Sequence, residues 1–141
     1  MTVDAEQQTA RACADRMWAA DHASRGMGMR LEHIAPGEAV LCMTVTANMT
    51  IAGGACNQGY VFSLADSAMA YASCTRGQTA VAQMVDITFD GKVPIGTTLT
   101  ARALQRHRSG RRSIWDVRVE TADGTVVAEF RGQTITLGAT G

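Results

Sequence analysis

The chain lacks an excess of either charge: thirteen lysines and arginines balance thirteen aspartates and glutamates. A protein that binds nucleic acid is usually basic overall, so this balance argues against general nucleic-acid binding. The chain also lacks any apolar run near the roughly 18 residues that a membrane-spanning helix needs. We therefore expect neither nucleic acid nor a membrane among its partners.

The sequence has no C-x-x-C pair, and its N-terminus, MTVDAEQQTARACADR, carries charges where a signal peptide needs an apolar stretch. We therefore expect a cytoplasmic protein with no metal site. In a reducing compartment, widely spaced cysteines are typically free thiols that pack as small hydrophobic groups. Four cysteines are present: Cys13, Cys42, Cys56 and Cys74.

The order of the predicted elements indicates one α+β domain over residues 1–141. An N-terminal helix is predicted over residues 1–25, followed by a two-stranded hairpin and a glycine-rich connection. A long helix is predicted over residues 58–73, and four further strands follow it. A single helix among so many strands should be wrapped by an antiparallel sheet, which accounts for its small, apolar side chains.

One carboxylate interrupts that helix. In GYVFSLADSAMAYA, Asp66 has Phe62 four residues before it and Ala70 four residues after it, so no basic residue can pair with it along the helix. It can be a solvated surface acid. If it is buried, desolvation raises its pKa, which is typical of functional sites.

The start of the same helix predicts a second part of a site. Asn57 is a plausible N-cap, and the N–H groups of Gln58 and Gly59 can donate to a carbonyl oxygen that gains negative charge. Eight residues separate Gln58 from Asp66, a rise of about 12 Å. That gap is too long for one chain, so Asp66 of a second subunit in an antiparallel helix pair is expected to serve this helix end.

Several segments carry a family resemblance: MTVTANMT with the following C-x-x-G, FSLADSAMAYAS, GTTLTARA and VAEFRGQ. Over about residues 10–138 the chain resembles the hotdog-fold acyl-CoA thioesterases, and more narrowly the phenylacetate-degradation (PaaI) type. The resemblance implies a hotdog fold, in which an antiparallel sheet wraps a long central helix. It also implies a homodimer with interface sites, usually paired into a homotetramer, and no cofactor apart from the coenzyme A of the substrate.

The resemblance assigns roles to two residues, and two further positions depart from the family pattern. Asp66 matches the catalytic carboxylate, acting as general base or as nucleophile, and Gln58 matches the residue whose N–H polarises the thioester carbonyl. Asn57 stands where the family has His, so it can donate hydrogen bonds but cannot change charge near neutral pH. Ile51 replaces an Asn that orients water or substrate, and it can do neither.

A basic cluster, QRHRSGRR, lies in the second half of the chain. Arg108, Arg111 and Arg112 in this cluster are candidates for holding the coenzyme A phosphates, because guanidinium groups bind phosphate bidentately. Lys92 on a separate loop could join them. The same cluster can also be a solvated hairpin turn. Three further side chains are expected to line an acyl pocket or to belong to the core: Met49, Tyr60 and Met69.

The sequence therefore predicts a thioesterase that hydrolyses small or aryl acyl-CoA thioesters, such as phenylacetyl-CoA and hydroxyphenylacetyl-CoA. Ile51 and Asn57 keep open an alternative, a non-catalytic protein of the same fold that binds acyl-CoA or an aryl ligand. A purely structural oligomerisation domain is a third possibility.

Overall fold

The computed structural model describes residues 2–139, which form three α-helices and six strands. The helices are α1 (Val3–Ala20), α2 (His22–Gly26) and α3 (Gln58–Cys74). The strands are β1 (Arg30–Ala35), β2 (Glu38–Thr44), β3 (Gln78–Phe89), β4 (Thr98–Ser109), β5 (Arg112–Glu120) and β6 (Val126–Ala139). A short 3₁₀ turn, Ala47–Met49, precedes α3.

The strands form one antiparallel sheet in the order β1-β2-β4-β5-β6-β3. Helix α3 lies across its inner face and contacts all six strands. This arrangement confirms the predicted α+β hotdog fold. The helix predicted over residues 58–73 spans Gln58–Cys74. No helix among the described residues is long and apolar enough to cross a membrane.

The N-terminal segment is two helices rather than the single helix predicted over residues 1–25. Asp21 leaves the helical conformation (φ −89°, ψ 81°), and its carboxylate accepts a hydrogen bond from the N–H of Ser24 at 2.9 Å, which caps α2. The Tyr71 hydroxyl donates to the same carboxylate at 2.9 Å. The hydrogen bond from Tyr71 therefore holds the junction between α1 and α2 against α3. Residue 1 lies outside the described residues.

Small side chains let α3 approach the sheet closely. Leu64, Ala65 and Ala68 have no exposed surface. Opposite them, Gly132 of β6 leaves room for Met69, because a Cβ at this position would overlap the Met69 Sδ atom and lie 3.0 Å from a ring carbon of Phe130. The composition of the helix thus reflects its burial, as the sequence predicted. The four cysteines are buried free thiols, also as predicted.

The outer face of the sheet carries arginines that are paired across strands. Arg131 of β6 donates to Asp116 of β5 at 2.6 and 2.8 Å. Two further pairs join Arg118 to Glu129 at 3.1 Å and Arg102 to Glu120 at 2.8 Å. The outer face is therefore close to neutral.

Candidate active site

In the first turn of α3, the backbone N–H of Gln58 is free within the described residues. The Asn57 side chain accepts from the N–H of Gly59 at 2.7 Å, and the Asn57 carbonyl accepts from Tyr60 at 3.0 Å. Asn57 is thus the N-cap, as predicted. Within residues 2–139 the N–H of Gln58 has no acceptor, and Gln58 is exposed. Of the two donors proposed from the sequence, Gln58 is the one available to a ligand oxygen, since the cap occupies Gly59.

A cavity of about 400 Å³ opens beside this helix end. Its walls are largely apolar, and Lys92 is the cationic side chain on its lining. Cys56 also lines it, but the thiol is buried, donates to the Asn57 carbonyl at 3.3 Å and has a pKa raised by burial. Cys56 is therefore held as a neutral thiol. The apolar walls are Ile51, Ala55, Val61, Phe89, Val93 and Val127.

Asp66 is half-buried in the middle of α3. Within the part of the chain that the structure describes, its carboxylate has neither a hydrogen bond nor an ion pair. Desolvation raises the pKa of Asp66 above the ordinary aspartate value. Asp66 is thus neither a fully solvated surface acid nor an acid whose charge is balanced by a hydrogen bond or an ion pair. It is suited to accept a proton.

Within one chain, the N–H of Gln58 and the carboxylate of Asp66 do not meet. Asp66 lies eight residues from Gln58, which on an α-helix is a rise of about 12 Å. A carbonyl oxygen at the Gln58 N–H is therefore out of reach of the same chain's Asp66. Asp66 and the Gln58 N–H of one chain therefore cannot act on the same carbonyl group.

The remaining predicted residues lie in different places. Met49 is 5% exposed and Met69 is 1% exposed, so both belong to the core of this protomer rather than to the cavity lining. Tyr60 is half-buried and packs against the same core. These three residues line no cavity at the helix N-terminus.

The predicted cationic residues fall into two groups. Lys92 lies beside the N-terminus of α3, whereas Arg108 lines a cleft at the opposite, C-terminal end. Arg111 and Arg112 are exposed at the tip of the β4–β5 hairpin at that same end. The idea that Lys92 joins the arginines is wrong for one protomer, because α3 separates them by roughly 24 Å.

Most residues of the cavity wall could not be predicted from the sequence. Val61 could have been found, since it lies one helical turn after Gln58. Phe89 and Val127 lie at the end of β3 and the start of β6, and nothing in the linear sequence places them beside the helix. Within residues 2–139 no group of three or more His, Cys, Asp or Glu is arranged to hold a metal ion.

The fold and this helix end define a class of protein. The family model of the thioesterase superfamily matches residues 53–128, which include α3 with Gln58 and Asp66. The chain belongs to the thioesterase superfamily, and it is a hotdog-fold thioester hydrolase.

Individual relatives indicate which kind of thioester hydrolase this chain resembles. The chain is 36% identical to the acyl-coenzyme A thioesterase PaaI of Escherichia coli over 90% of its own length and 91% of the relative. The solved E. coli PaaI structure superposes with a TM-score of 0.92, covering 95% of this chain and 97% of that one at 35% identity. A point mutant of the phenylacetic acid degradation protein PaaI of Thermus thermophilus gives a TM-score of 0.80 at 35% identity, with coverages of 83% and 100%. These relatives support acyl-CoA thioester hydrolysis over the non-catalytic alternative.

Proposed function

We propose that this enzyme hydrolyses small or aryl acyl-CoA thioesters, with Asp66 of one subunit acting at the Gln58 N–H of another. The observation that carries the proposal is the unpaired, half-buried Asp66 on the helix whose N-terminus keeps a free donor. The cavity of about 400 Å³ beside Gln58 has apolar walls that suit an aromatic or short acyl group. The E. coli relative comes from a phenylacetic acid degradation operon, which favours phenylacetyl-type substrates.

The free edge of β3 supports a homodimer. This strand pairs with β6 on one side and with nothing on the other within the described residues. It has twelve residues, one charge (Asp86) and no proline, and it exposes Val81 and Met84. An unpaired edge strand of this kind can pair with a strand of a second chain. At the other end of the sheet, β1 is contacted by α1, where Gln7 donates to the Ile34 carbonyl at 2.8 Å.

In the proposed dimer, a two-fold axis beside Phe62 brings Asp66 of one chain to the Gln58 N–H of the other. Phe62 lies four residues after Gln58 and four before Asp66. In an antiparallel pair of α3 helices centred there, Asp66 of each chain lies beside Gln58 of the other, which creates two sites per dimer. Phe62 is half-buried and its ring lies 5.8 Å from that of Phe130 on β6, so it faces the β6–β3 side of the sheet.

The chemistry then follows from the two groups. The thioester oxygen accepts from Gln58 N–H, and the helix N-terminus stabilises the negative charge that develops on it. Asp66 takes a proton from water as the water oxygen attacks the carbonyl carbon. The C–S bond then breaks, and the proton on Asp66 passes to the departing thiolate, which releases coenzyme A as its thiol and restores the carboxylate. A raised pKa makes Asp66 a better base at neutral pH. The reaction needs no cofactor beyond the coenzyme A of the substrate.

Asp66 can alternatively attack the carbonyl itself and form an anhydride that water hydrolyses. Single-turnover hydrolysis in ¹⁸O-labelled water detects this route when water attacks the carboxyl carbon of Asp66. A general base places ¹⁸O in the product acid in the first turnover. A nucleophile that is regenerated by attack of water on its own carboxyl carbon places enzyme-derived ¹⁶O there instead.

Three features remain predictions: pairing of dimers into a homotetramer, which the resemblance implies, and a cytoplasmic location and phosphate contacts from Lys92, Arg108, Arg111 and Arg112, which the sequence suggests. Loss of thioester absorbance across a panel of acyl-CoAs tests the function. We expect turnover, with phenylacetyl-CoA and hydroxyphenylacetyl-CoA among the best substrates. A panel in which only long, unbranched acyl chains react would contradict the substrate class.

A further inference from the structure

Two isoleucines are exposed on neighbouring loops. Ile51, on the loop that precedes α3, is 52% exposed, and Ile95, on the loop between β3 and β4, is 54% exposed. An antiparallel bridge between Ala55 and Pro94 holds the two loops side by side. Ile51 lines the cavity beside Gln58, whereas Ile95 is not part of that lining. The chain therefore offers two similarly exposed isoleucines, of which Ile51 is the one placed to contact an acyl group in the cavity.

The loop before α3 turns back on itself and returns Ile51 toward the start of the helix. The N–H of Ile51 donates to the Ala55 carbonyl at 2.8 Å, and Ala55 lies three residues before Gln58. Gly53 and Gly54 form the turn with φ values of 95° and 89°, which glycine adopts without strain. Because isoleucine is β-branched, its side chain has few rotamers to lose when a ligand packs on it. The loop thus holds Ile51 as a preformed part of the cavity wall.

Ile51 is an apolar part of this wall that still faces water. Hydrophobic stabilisation scales with the apolar area that a contact removes from water. The buried residues of the wall are Cys56, Val61, Val93 and Val127. None of them is more than 6% exposed, so they have little further area to lose, whereas about half of Ile51 remains exposed. An apolar group that covers Ile51 therefore gains binding that the buried wall residues cannot supply.

Acyl groups differ in how much of Ile51 they can cover. In the proposed function the thioester carbonyl of every substrate is held at the Gln58 N–H, so the acyl group extends from one fixed point. Acetyl extends by a single methyl group, whereas phenylacetyl extends by a methylene and a ring. The Ile51 side chain has no polar atom, so a polar group placed against it loses water without gaining a hydrogen bond.

We propose that Ile51 is a specificity-determining residue, which packs against the acyl group at the rim of the cavity and favours large apolar acyl groups over small or polar ones. This inference rests on the proposed function and deepens it, because it names the residue that selects the acyl group. The carbonyl site at Gln58 is common to all acyl-CoAs and cannot make that selection.

Two substitutions of Ile51 test the proposal, because valine and threonine have nearly the same shape and differ in one hydroxyl group. The ratio of kcat/KM for phenylacetyl-CoA to kcat/KM for acetyl-CoA reports the selection. Ile51→Val removes one carbon and should lower this ratio about two- to fourfold. Ile51→Thr also places a hydroxyl group against the ring and should lower the ratio about tenfold. Ile95→Thr is the matched control and should leave the ratio unchanged.

Three results would overturn the proposal. The first is an unchanged ratio in Ile51→Thr, and the second is an equal fall in Ile95→Thr. The third is a fall in Ile51→Val as large as that in Ile51→Thr, which would show that volume rather than apolar character is selected. Because Ile51 and Ile95 are both exposed, all three variants should unfold at nearly the wild-type urea concentration, which excludes misfolding as the cause of a changed ratio.

Binding tests the same inference without turnover. In Asp66→Asn chains, calorimetry with phenylacetyl-CoA and with acetyl-CoA gives the selection as a ratio of two Kd values. Adding Ile51→Thr should weaken phenylacetyl-CoA binding about tenfold relative to acetyl-CoA binding. A wild type that hydrolyses no acyl-CoA, in chains that show this binding change, would refute the proposed function alone. An unchanged ratio of Kd values would overturn the role of Ile51 even in an active enzyme.

Discussion

Gly132→Ala tests the close approach that places α3, and therefore Asp66, on the sheet. The new methyl carbon would overlap Met69 Sδ and lie 3.1 Å from Met69 Cε and 3.0 Å from a ring carbon of Phe130. Met69 and Phe130 are 1% and 2% exposed, so neither can swing into solvent. Overpacking of this kind costs about 1–3 kcal/mol. The backbone of Gly132 has no positive φ, so alanine also gains about 0.4–1 kcal/mol from the lower entropy of the unfolded chain.

The net expectation is a loss of about 1–2 kcal/mol in the free energy of unfolding, measured by urea denaturation. Gly138→Ala is the matched control. It lies on the same strand, also without positive φ, and a Cβ there would meet nothing within 4 Å. This variant should be neutral or slightly stabilising.

A double-mutant cycle with Met69→Ala isolates the contact. Met69→Ala alone should cost about 2–5 kcal/mol because it leaves a cavity in the core. In the double variant the alanine methyl at position 132 occupies part of that cavity, so the combined loss should be clearly less than the sum of the two single losses. Strict additivity, or a stabilising Gly132→Ala, would refute the reasoning that Gly132 is required by the approach of Met69.

Two further predictions concern the site. Because burial raises the pKa of Asp66, kcat/KM should fall on the acid side at a pH above the ordinary aspartate pKa of 3.8, and an acid limb at or below 3.8 in a pH–rate profile would contradict this. The folded protein binds that proton more tightly than the unfolded chain, so the Asp66 carboxylate lowers the free energy of unfolding as the pH rises. Asp66→Asn should therefore have a higher Tm than the wild type at pH 7, and this difference in Tm should disappear in acid. Asn57→Ala should lower the free energy of unfolding by about 1 kcal/mol through loss of the bond to Gly59, and Asn57→Ser should restore most of it; equal stability of all three proteins would show that the cap contributes nothing.

The fold could be predicted largely because its central helix is distinctive. A run of small apolar residues with one acid, flanked by segments of β-branched residues, specifies a helix enclosed by a sheet, and both ends of α3 agree with the prediction to within one residue. The N-terminal helix could not be bounded as well. Its break depends on Asp21, whose carboxylate caps α2 and accepts from Tyr71, fifty residues away in sequence.

The site could be predicted only where it lies on one element. Asp66, Gln58 and the Asn57 cap all lie on or beside α3, so helical geometry relates them. The position of Arg108 relative to Lys92 depends on which strand ends meet. The sequence left open that Lys92 joins the arginines, whereas the two residues lie at opposite ends of α3. The sequence left open whether Met69 belongs to a pocket or to the core, because the residue that it packs against, Gly132, is remote in sequence.

The most direct test of the account compares thioester hydrolysis by the wild type and Asp66→Asn, with coenzyme A binding measured on both. Asp15→Asn, an exposed acid on α1, is the matched control. The account predicts that Asp66→Asn lowers kcat by about 10²–10⁴-fold while it keeps coenzyme A affinity and the fold. Asp15→Asn should keep full activity. An Asp66→Asn protein that turns over acyl-CoA at the wild-type rate would contradict the central claim.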